Sequence, residues 1–257
     1  MNKENIVIMN FTGVYEIESF FKDIDAEWID CKNIPGTFGY CDSSAAELIK
    51  RKIQKYTPYG IHFIDSGNFH YISKFWTDKI ETPFSLCVFD HHTDMQRSLF
   101  NDILSCGNWI KTALDTNLNL KKVIIIGPDD KLLENIDIKY KDRLILYSQN
   151  ELSHKETWHK LAFEHVTEPV YLSIDKDLLD QNSAITDWDQ GNLSLNDLKS
   201  LLHIIIEKET IIGVDICGEY TDMLSLISNH EIRDINNKSN KELLKFFIKS
   251  KDKILIE

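Results

Sequence analysis

The chain has 257 residues, of which 27% are charged and 42% hydrophobic, and its formal net charge is -12, from 29 basic and 41 acidic residues. This length is enough for one sizeable hydrophobic core, and the composition excludes collagen-like, mucin-like and disordered chains. The negative charge repels polyanions, so nucleic acid is not expected as a partner, whereas cationic substrates and metal ions are favoured. Solubility alone explains an acidic composition equally well.

The five cysteines are scattered and never form a Cys-x-x-Cys pair, which excludes a zinc ribbon and a disulfide framework. The first residues do not have the pattern of a signal peptide, and no apolar run approaches the ~20 residues that a membrane span needs. We therefore expect a reduced, soluble, cytoplasmic protein that has no membrane partner. The sequence leaves the oligomeric state open, with a homo-oligomer as one option.

Seven short apolar runs of strand length recur along the chain. In chain order they are Ile6–Met9, Gly60–Ile64, Phe84–Phe89, Lys122–Ile126, Leu144–Tyr147, Val170–Ile174 and Thr210–Val214. Four segments between or after them have the periodicity of amphipathic helices: Ser44–Tyr56, Ile103–Leu114, Ser194–Glu207 and Lys241–Lys249. Apolar strands that alternate with helices predict an α/β fold with a mainly parallel sheet covered by helices. No linker-like stretch interrupts the chain, so residues 1–257 are expected to form a single domain.

Polar residues directly after apolar strands are the first candidates for a functional site, because ligands of open α/β sheets bind outside the carboxyl ends of the strands. The first such place is a Ser66-Gly67-Asn68 turn that leads to His70. On its own, this histidine is better explained as a buried residue with satisfied hydrogen bonds. Its position ahead of two further polar segments adds weight to a functional reading.

The second place carries Asp90, His92 and Asp94 directly after the Phe84–Phe89 run. In extended backbone, residues i, i+2 and i+4 point to the same side, so two carboxylates and an imidazole converge. A lone Asp-x-His pair is better explained by helix capping and local hydrogen bonds. Three aligned ligands favour a metal site instead.

The third place has Asp175 and Asp177 on one face directly after the Val170–Ile174 run. Two carboxylates this close repel each other unless a cation lies between them, although a solvated loop start is the competing explanation. Together the three places supply two imidazoles and four carboxylates, enough for two ions if Asp90 and Asp175 bridge them. Oxygen-rich ligation without thiolate favours two Mn²⁺ over Zn²⁺, and a two-metal site of this kind favours hydrolysis.

These three segments resemble motifs of the ureohydrolase family, which includes arginase, agmatinase and formimidoylglutamase. The family patterns G-G-[DN]-H, D-A-H-x-D and S-x-D-x-D-x-x-D-P correspond, in the same order, to residues Ser66–His70, Asp90–Asp94 and Ser173–Asp180. The resemblance extends over roughly Ile61 to Tyr220. It implies a three-layer α/β/α fold of the arginase type.

The resemblance also implies roles for the individual ligands. One Mn²⁺ would be held by His70, Asp90, Asp94 and Asp175, and the other by Asp90, His92, Asp175 and Asp177. A hydroxide held between the ions would attack the guanidinium carbon, and Asp177 would pass a proton to the departing amine, giving urea and an amine.

An acidic residue after the strand that follows the Asp-x-Asp pair usually holds the guanidinium nitrogens in this family. Here Asp215 and Glu219 are the candidates, and Glu219 is preferred for this catalytic and substrate-binding role. The family's spacing falls on Gly218 instead, so a surface-loop glutamate explains Glu219 equally well.

Several positions depart from the arginase pattern. Residues Ser105–Ile110 resemble S-S-G-N-L-H, so Ser105 and Asn108 are expected to read the amino-acid end of the substrate, but Ile110 replaces the shuttle histidine. His91 or a water is the expected substitute. Gln181 replaces the proline of the family's Asp-Pro. The loop 186–191 is expected to line the pocket, with Trp188 and Asp187 placing an aromatic face and a carboxylate around a cationic group.

The leading hypothesis is a binuclear Mn²⁺ amidinohydrolase that cleaves a linear C–N bond of a guanidino compound. Its substrate would be free arginine, or arginine within a peptide, because the motifs resemble small arginase-like proteins that include peptide arginases. One alternative is an amide hydrolase of the deacetylase type with a single Zn²⁺, although His70, Asp90 and Asp94 supply a second metal site. The other is a non-catalytic metal-binding relative that lost the shuttle histidine.

Overall fold

A computed structural model describes residues 5–98, 103–134, 136–160 and 166–254. The strands are β1 (Ile6–Asn10), β2 (Glu27–Asp30), β3 (Tyr40–Cys41), β4 (Ile61–Phe63), β5 (Phe84–Phe89), β6 (Leu104–Ser105), β7 (Leu120–Ile126), β8 (Leu144–Tyr147), β9 (Val170–Asp175) and β10 (Ile211–Cys217). The α-helices are α1 (Ser43–Ile53), α2 (Ile72–Thr77), α3 (Trp109–Thr116), α4 (Asp130–Leu133), α5 (Gln149–Leu152), α6 (Leu195–Lys208), α7 (Met223–Ser228) and α8 (His230–Lys249).

Eight strands form one sheet in the order β2-β1-β4-β10-β9-β5-β7-β8, and every neighbouring pair is parallel. The other two strands, β3 and β6, form a small antiparallel pair. All seven predicted strands belong to the large sheet, which confirms the parallel α/β prediction. The short strand β2 was not predicted, because it lies at the sheet edge and only Ile29 among its four residues is buried.

Two apolar clusters cover the opposite faces of the sheet, because successive residues of a strand point to opposite sides. Within β5, Cys87 and Phe89 belong to one cluster, and Leu86 and Val88 belong to the other. The first cluster takes in residues of α6 and α8, and the second takes in residues of α1, α2 and α3. The result is the predicted three-layer α/β/α arrangement.

Two helices differ from the periodicity-based prediction. Helix α3 begins at Trp109 rather than Ile103, because the backbone N–H of Ser105 donates to Asn108 Oδ1 at 2.8 Å and closes a separate turn. Helix α8 begins at His230 rather than Lys241, and the first half of its buried face carries the polar residues Asn236 and Asn240 instead of apolar ones. In the part of the chain described, no helix has both the length and the apolar character for crossing a membrane.

Four adjacent strands, β4, β10, β9 and β5, bring the predicted site together at the carboxyl edge of the sheet. Asp90 follows β5, Asp175 ends β9, and Cys217 ends β10 opposite Asp175 in the strand register. His70 lies in the turn after β4. The sheet order, rather than the chain order, therefore places these side chains next to one another.

Helix α8 is anchored through Phe247, which is fully buried in the cluster beneath α6 and α8. We expect Phe247→Ala to lower the free energy of unfolding by about 3–5 kcal/mol, because it leaves a cavity in the core. The neighbouring Phe246 is only partly buried, so Phe246→Ala serves as the matched control with a smaller loss. Urea denaturation of both variants checks this, and equal losses would contradict the assigned packing.

Candidate metal centre

The six predicted ligands form two overlapping groups. His70 Nδ1 lies 3.1 Å from Asp90 Oδ2, 3.1 Å from Asp94 Oδ2 and 3.5 Å from Asp175 Oδ2. His92 Nδ1 lies 2.8 Å from Asp177 Oδ2 and 3.5 Å from Asp90 Oδ1. Asp90 thus faces both imidazoles with different oxygens, as a residue shared between two ions would. The residues that the three sequence segments predicted are therefore brought together in one place.

These groups are buried, which makes their charges costly without cations. Burial and the neighbouring Asp90 raise the pKa of Asp94 to about 6. Burial, Asp175 and Asp90 raise the pKa of Asp177 well above its ordinary value. Although burial lowers the pKa of His92, its bonds to Asp177 and Asp90 raise it to about 12. Four converging carboxylates with two imidazoles are a donor set that fits two divalent cations, which would neutralise this repulsion.

Asp94 is held by a partner that the sequence analysis missed. Its backbone is left-handed, with φ of 47°, and its Oδ2 accepts a 2.5 Å hydrogen bond from Trp109 Nε1. Trp109 is fully buried at the start of α3, and its ring lies 4.9 Å from that of His70. The only signal in the sequence was an aromatic residue after Asn108, and a buried core residue explains that pattern equally well.

Glycines allow the backbone to approach Asp175 closely. A Cβ atom on Gly67 would lie 2.7 Å from Asp175 Oδ2, and one on Gly218 would lie 2.5 Å from Asp175 Oδ1. Gly218 also has φ of 96°. This position, where the family's spacing would put an acidic residue, therefore has no room for a side chain.

Asp215 lies behind the cluster rather than in the pocket. His70 Nε2 is 2.9 Å from Ser173 Oγ, which in turn donates to Asp215 Oδ1 at 2.5 Å. Burial raises the pKa of Asp215 to about 6. A chain of this kind fixes the orientation of a ligating imidazole, so that Nδ1 faces the carboxylates.

Glu219 does not lie where a guanidinium-binding carboxylate is expected, and this prediction needs correction. Its carboxylate is fully buried, forms an ion pair with Lys176, and accepts bonds from Asn240 Nδ2 at 2.7 Å and Asn236 Nδ2 at 2.9 Å. Glu219 is not among the described residues that line the pocket. Its partner in the interior is Lys176, the lysine between Asp175 and Asp177.

Of the residues predicted for proton transfer and substrate binding, the structure places some in the pocket and others outside it. His91 donates its backbone N–H to Asp177 Oδ1 at 3.0 Å, but its ring is buried outside the pocket, and Ile110 belongs to the apolar core. Asn108 turns inward and donates from Nδ2 to the Ile103 carbonyl at 2.9 Å. Ser105 does line the pocket.

The loop 186–191 contributes one residue to the pocket wall and one to its support. Trp188 lines the pocket, with its ring 5.6 Å from that of His92. Asp187 instead accepts bonds from Ser66 Oγ at 2.9 Å and Thr221 Oγ1 at 2.8 Å, which tie the loop to its neighbours. The pocket has a volume of about 300 Å³. It opens over the candidate metal-binding cluster, which consists of His70, Asp90, His92, Asp94, Asp175 and Asp177.

Comparison with known proteins places this geometry in a family. The sequence pattern of the Arginase family matches residues 13–220. The chain belongs to the arginase family. An uncharacterized protein of Thermotoga maritima is 34% identical over 233 residues, covering 90% of this chain and 86% of the relative. The family expected from the three motifs is thereby confirmed, and with it the hydrolase class.

Solved structures of this family share the fold at low sequence identity. Proclavaminate amidino hydrolase from Streptomyces clavuligerus superimposes with a TM-score of 0.65 at 14% identity, covering 93% of this chain and 90% of that one. Arginase from Bacillus cereus gives a TM-score of 0.62 at 15% identity, covering 93% and 98%. These likenesses confirm the arginase-like α/β fold.

In this arginase-family chain, Trp109→Phe is expected to weaken divalent-cation binding at the candidate centre, probed with Mn²⁺, by about 10- to 100-fold, because Asp94 loses the bond that orients it. Trp76→Phe is the matched control, since Trp76 is equally buried and its Nε1 makes no hydrogen bond within the described residues. Isothermal calorimetry of ion-free protein measures both. Equal affinities in the two variants would show that the Trp109 bond does not support the centre.

The ion-free protein is expected to lose stability as pH rises from about 4 to about 7. Asp94 and Asp215 both have folded-state pKa values of about 6, above the ordinary ~3.9, so the folded state holds more protons in this window than the unfolded state. Saturating Mn²⁺ should oppose this trend, because it binds the ionised carboxylates. Thermal unfolding with chelator and with Mn²⁺ measures both trends, and parallel curves would contradict the prediction. Asp215→Asn should flatten the ion-free curve.

Proposed function

We propose that this chain is a binuclear Mn²⁺ hydrolase that cleaves a C–N bond of a guanidino compound to release urea and an amine. The observation that carries the proposal is the pair of ligand groups that share Asp90 at the floor of one pocket. Two divalent ions bound side by side supply a water of lowered pKa as the nucleophile. Oxygen-rich ligation supports Mn²⁺ as the ion for the group around His92.

Asp177 is the residue we propose for proton transfer to the departing amine. Its Oδ1 accepts from the His91 backbone N–H and its Oδ2 lies against His92 Nδ1, so both oxygens have defined positions. Its side chain lines the pocket although it is almost completely buried. His91 then acts through this bond as a positioning residue, and no histidine is required at Ile110.

Recognition of the guanidinium group is proposed to use neutral groups. Among the described residues that line the pocket, every carboxylate belongs to the metal-binding cluster. Apart from the two histidines of that cluster and Cys106, the remaining polar side chains there are uncharged amides and hydroxyls, and the other large residues are aromatic rings that attract a planar cation through their faces. These residues are Asn68, Gln96, Ser105, Phe38, Tyr40 and Trp188.

The pocket favours arginine within a peptide over free arginine as the substrate. No lysine or arginine is found among its described lining residues, so nothing there balances a free α-carboxylate. Asn108, the expected reader of the α-groups, is bonded to its own loop. Phe38 and Tyr40 are 62% and 43% exposed at the pocket, and such a rim suits a flanking peptide.

A panel of guanidino compounds tests the proposal. Protein loaded with Mn²⁺ is expected to release urea, faster from peptidyl arginine than from free arginine, and Asp177→Asn should lower turnover at least 100-fold. The control is Asp189→Asn, an exposed carboxylate near the pocket that is outside the ligand groups, and it should keep full activity. Urea is measured by colorimetry and metal content by elemental analysis.

The same measurements separate the two alternatives. One Zn²⁺ per chain with release of acetate from acetylated amines would identify a deacetylase-type hydrolase. Two ions per chain with no urea from any guanidine in the panel would identify a non-catalytic metal-binding relative. Either result would contradict the proposed activity.

A further inference from the structure

Cys217 lies at the metal-binding cluster, although it was not among the predicted ligands. It is the last residue of β10, fully buried, and its Sγ lies 3.2 Å from Asp175 Oδ2. Ligand atoms of His70, Asp175 and Cys217 all lie within 4.8 Å of one another. This third group shares two members with the ion site expected around His70.

The separation between Sγ and the carboxylate suits two ligands of one ion. With metal–sulfur and metal–oxygen bonds of about 2.3 and 2.1 Å, two ligand atoms at right-angled to tetrahedral geometry lie about 3.1–3.6 Å apart. The observed 3.2 Å between Cys217 Sγ and Asp175 Oδ2 is within that range. Cys217 belongs to the apolar cluster on the α1–α3 side of the sheet, yet its sulfur also contacts a buried carboxylate, which a purely hydrophobic role does not require.

We propose that Cys217 ligates the ion held by His70 as a thiolate, so that the two metal sites of the centre differ in chemistry. The proposal rests on the proposed binuclear centre but not on guanidine hydrolysis. The site around His92 keeps only oxygen and nitrogen ligands. The His70 site gains a soft ligand and therefore favours Zn²⁺ over Mn²⁺ more strongly than its neighbour does.

Ligation exchanges one bond for another. Without an ion, the thiol of Cys217 donates to Asp175 Oδ2. When the ion binds, the S–H bond breaks, both electrons stay on sulfur to form the sulfur–metal bond, and the proton leaves to the buffer.

Cobalt provides a direct probe, because Co²⁺ bound to a thiolate absorbs in the near ultraviolet by charge transfer. Ion-free protein titrated anaerobically with Co²⁺ should develop this band, and Cys217→Ser should lack it while still binding two Co²⁺. Cys106→Ser is the matched control and should keep the band. Cys106 lines the same pocket but belongs to none of the ligand groups found among the described residues.

Two further measurements complete the test. Competition between Zn²⁺ and Mn²⁺, followed by calorimetry, should show one Zn²⁺-selective site in the wild type and a loss of that selectivity in Cys217→Ser. X-ray absorption of the Co²⁺ form of Cys106→Ser should show a sulfur neighbour at about 2.3 Å, which decides the matter even if Cys217→Ser fails to fold.

The outcomes are distinguishable from failure of the proposed function. Two bound Co²⁺ without a charge-transfer band or a sulfur neighbour would overturn the role of Cys217 and leave the binuclear centre standing. Fewer than two bound Co²⁺ would overturn the centre itself. A band that persists in Cys217→Ser would also refute the assignment.

Discussion

Repulsion among four buried carboxylates is the constraint around which this molecule is organised. Asp90, Asp94, Asp175 and Asp177 converge where neighbouring strands end, and two imidazoles face them within the described residues. Burial makes each unpaired charge more costly than it would be in water. Cations bound there would relieve that cost, so stability is expected to depend on pH and on bound ions most strongly at this edge of the sheet.

The buried ion pair of Lys176 and Glu219 extends this organisation away from the pocket. Lys176 lies between the two aspartates of one ligand pair, yet its Nζ points into the interior and bonds Asn240 Oδ1 of α8 at 2.9 Å. Asn240 in turn donates to Glu18 Oε2 at 2.9 Å, and burial and Glu219 raise the pKa of Glu18. These bonds attach the segment that carries Asp175 and Asp177 to helix α8, which is distant in sequence. Glu219 therefore pairs with Lys176 inside the protein, whereas the family resemblance predicted that it would bind the substrate.

The strands and the convergence of the six candidate ligands could be predicted from sequence because both depend on short spacing. A run such as Phe84–Phe89 signals a buried strand by itself, and a carboxylate directly after it lies at the sheet edge. Trp109, Cys217 and Glu219 could not be placed this way, because their partners are brought near only by the order of the strands and by α8. The spacing of residues along the chain therefore predicts a candidate metal site, whereas tertiary contacts decide which side chains surround it.

Two regions beside the candidate metal centre distinguish its chemistry, namely the pocket wall and the end of β10. On the pocket side, the side chains outside the candidate ligand groups are uncharged or aromatic, so the guanidinium recognition proposed above would depend on shape and cation–π attraction more than on a carboxylate. A further carboxylate there would add to the repulsion already present among the ligands. On the β10 side, the thiol of Cys217 lies 3.2 Å from Asp175 Oδ2 and, in the ligation proposed above, would carry no negative charge until an ion displaced its proton. Both arrangements limit the negative charge close to a cluster that already holds four buried carboxylates.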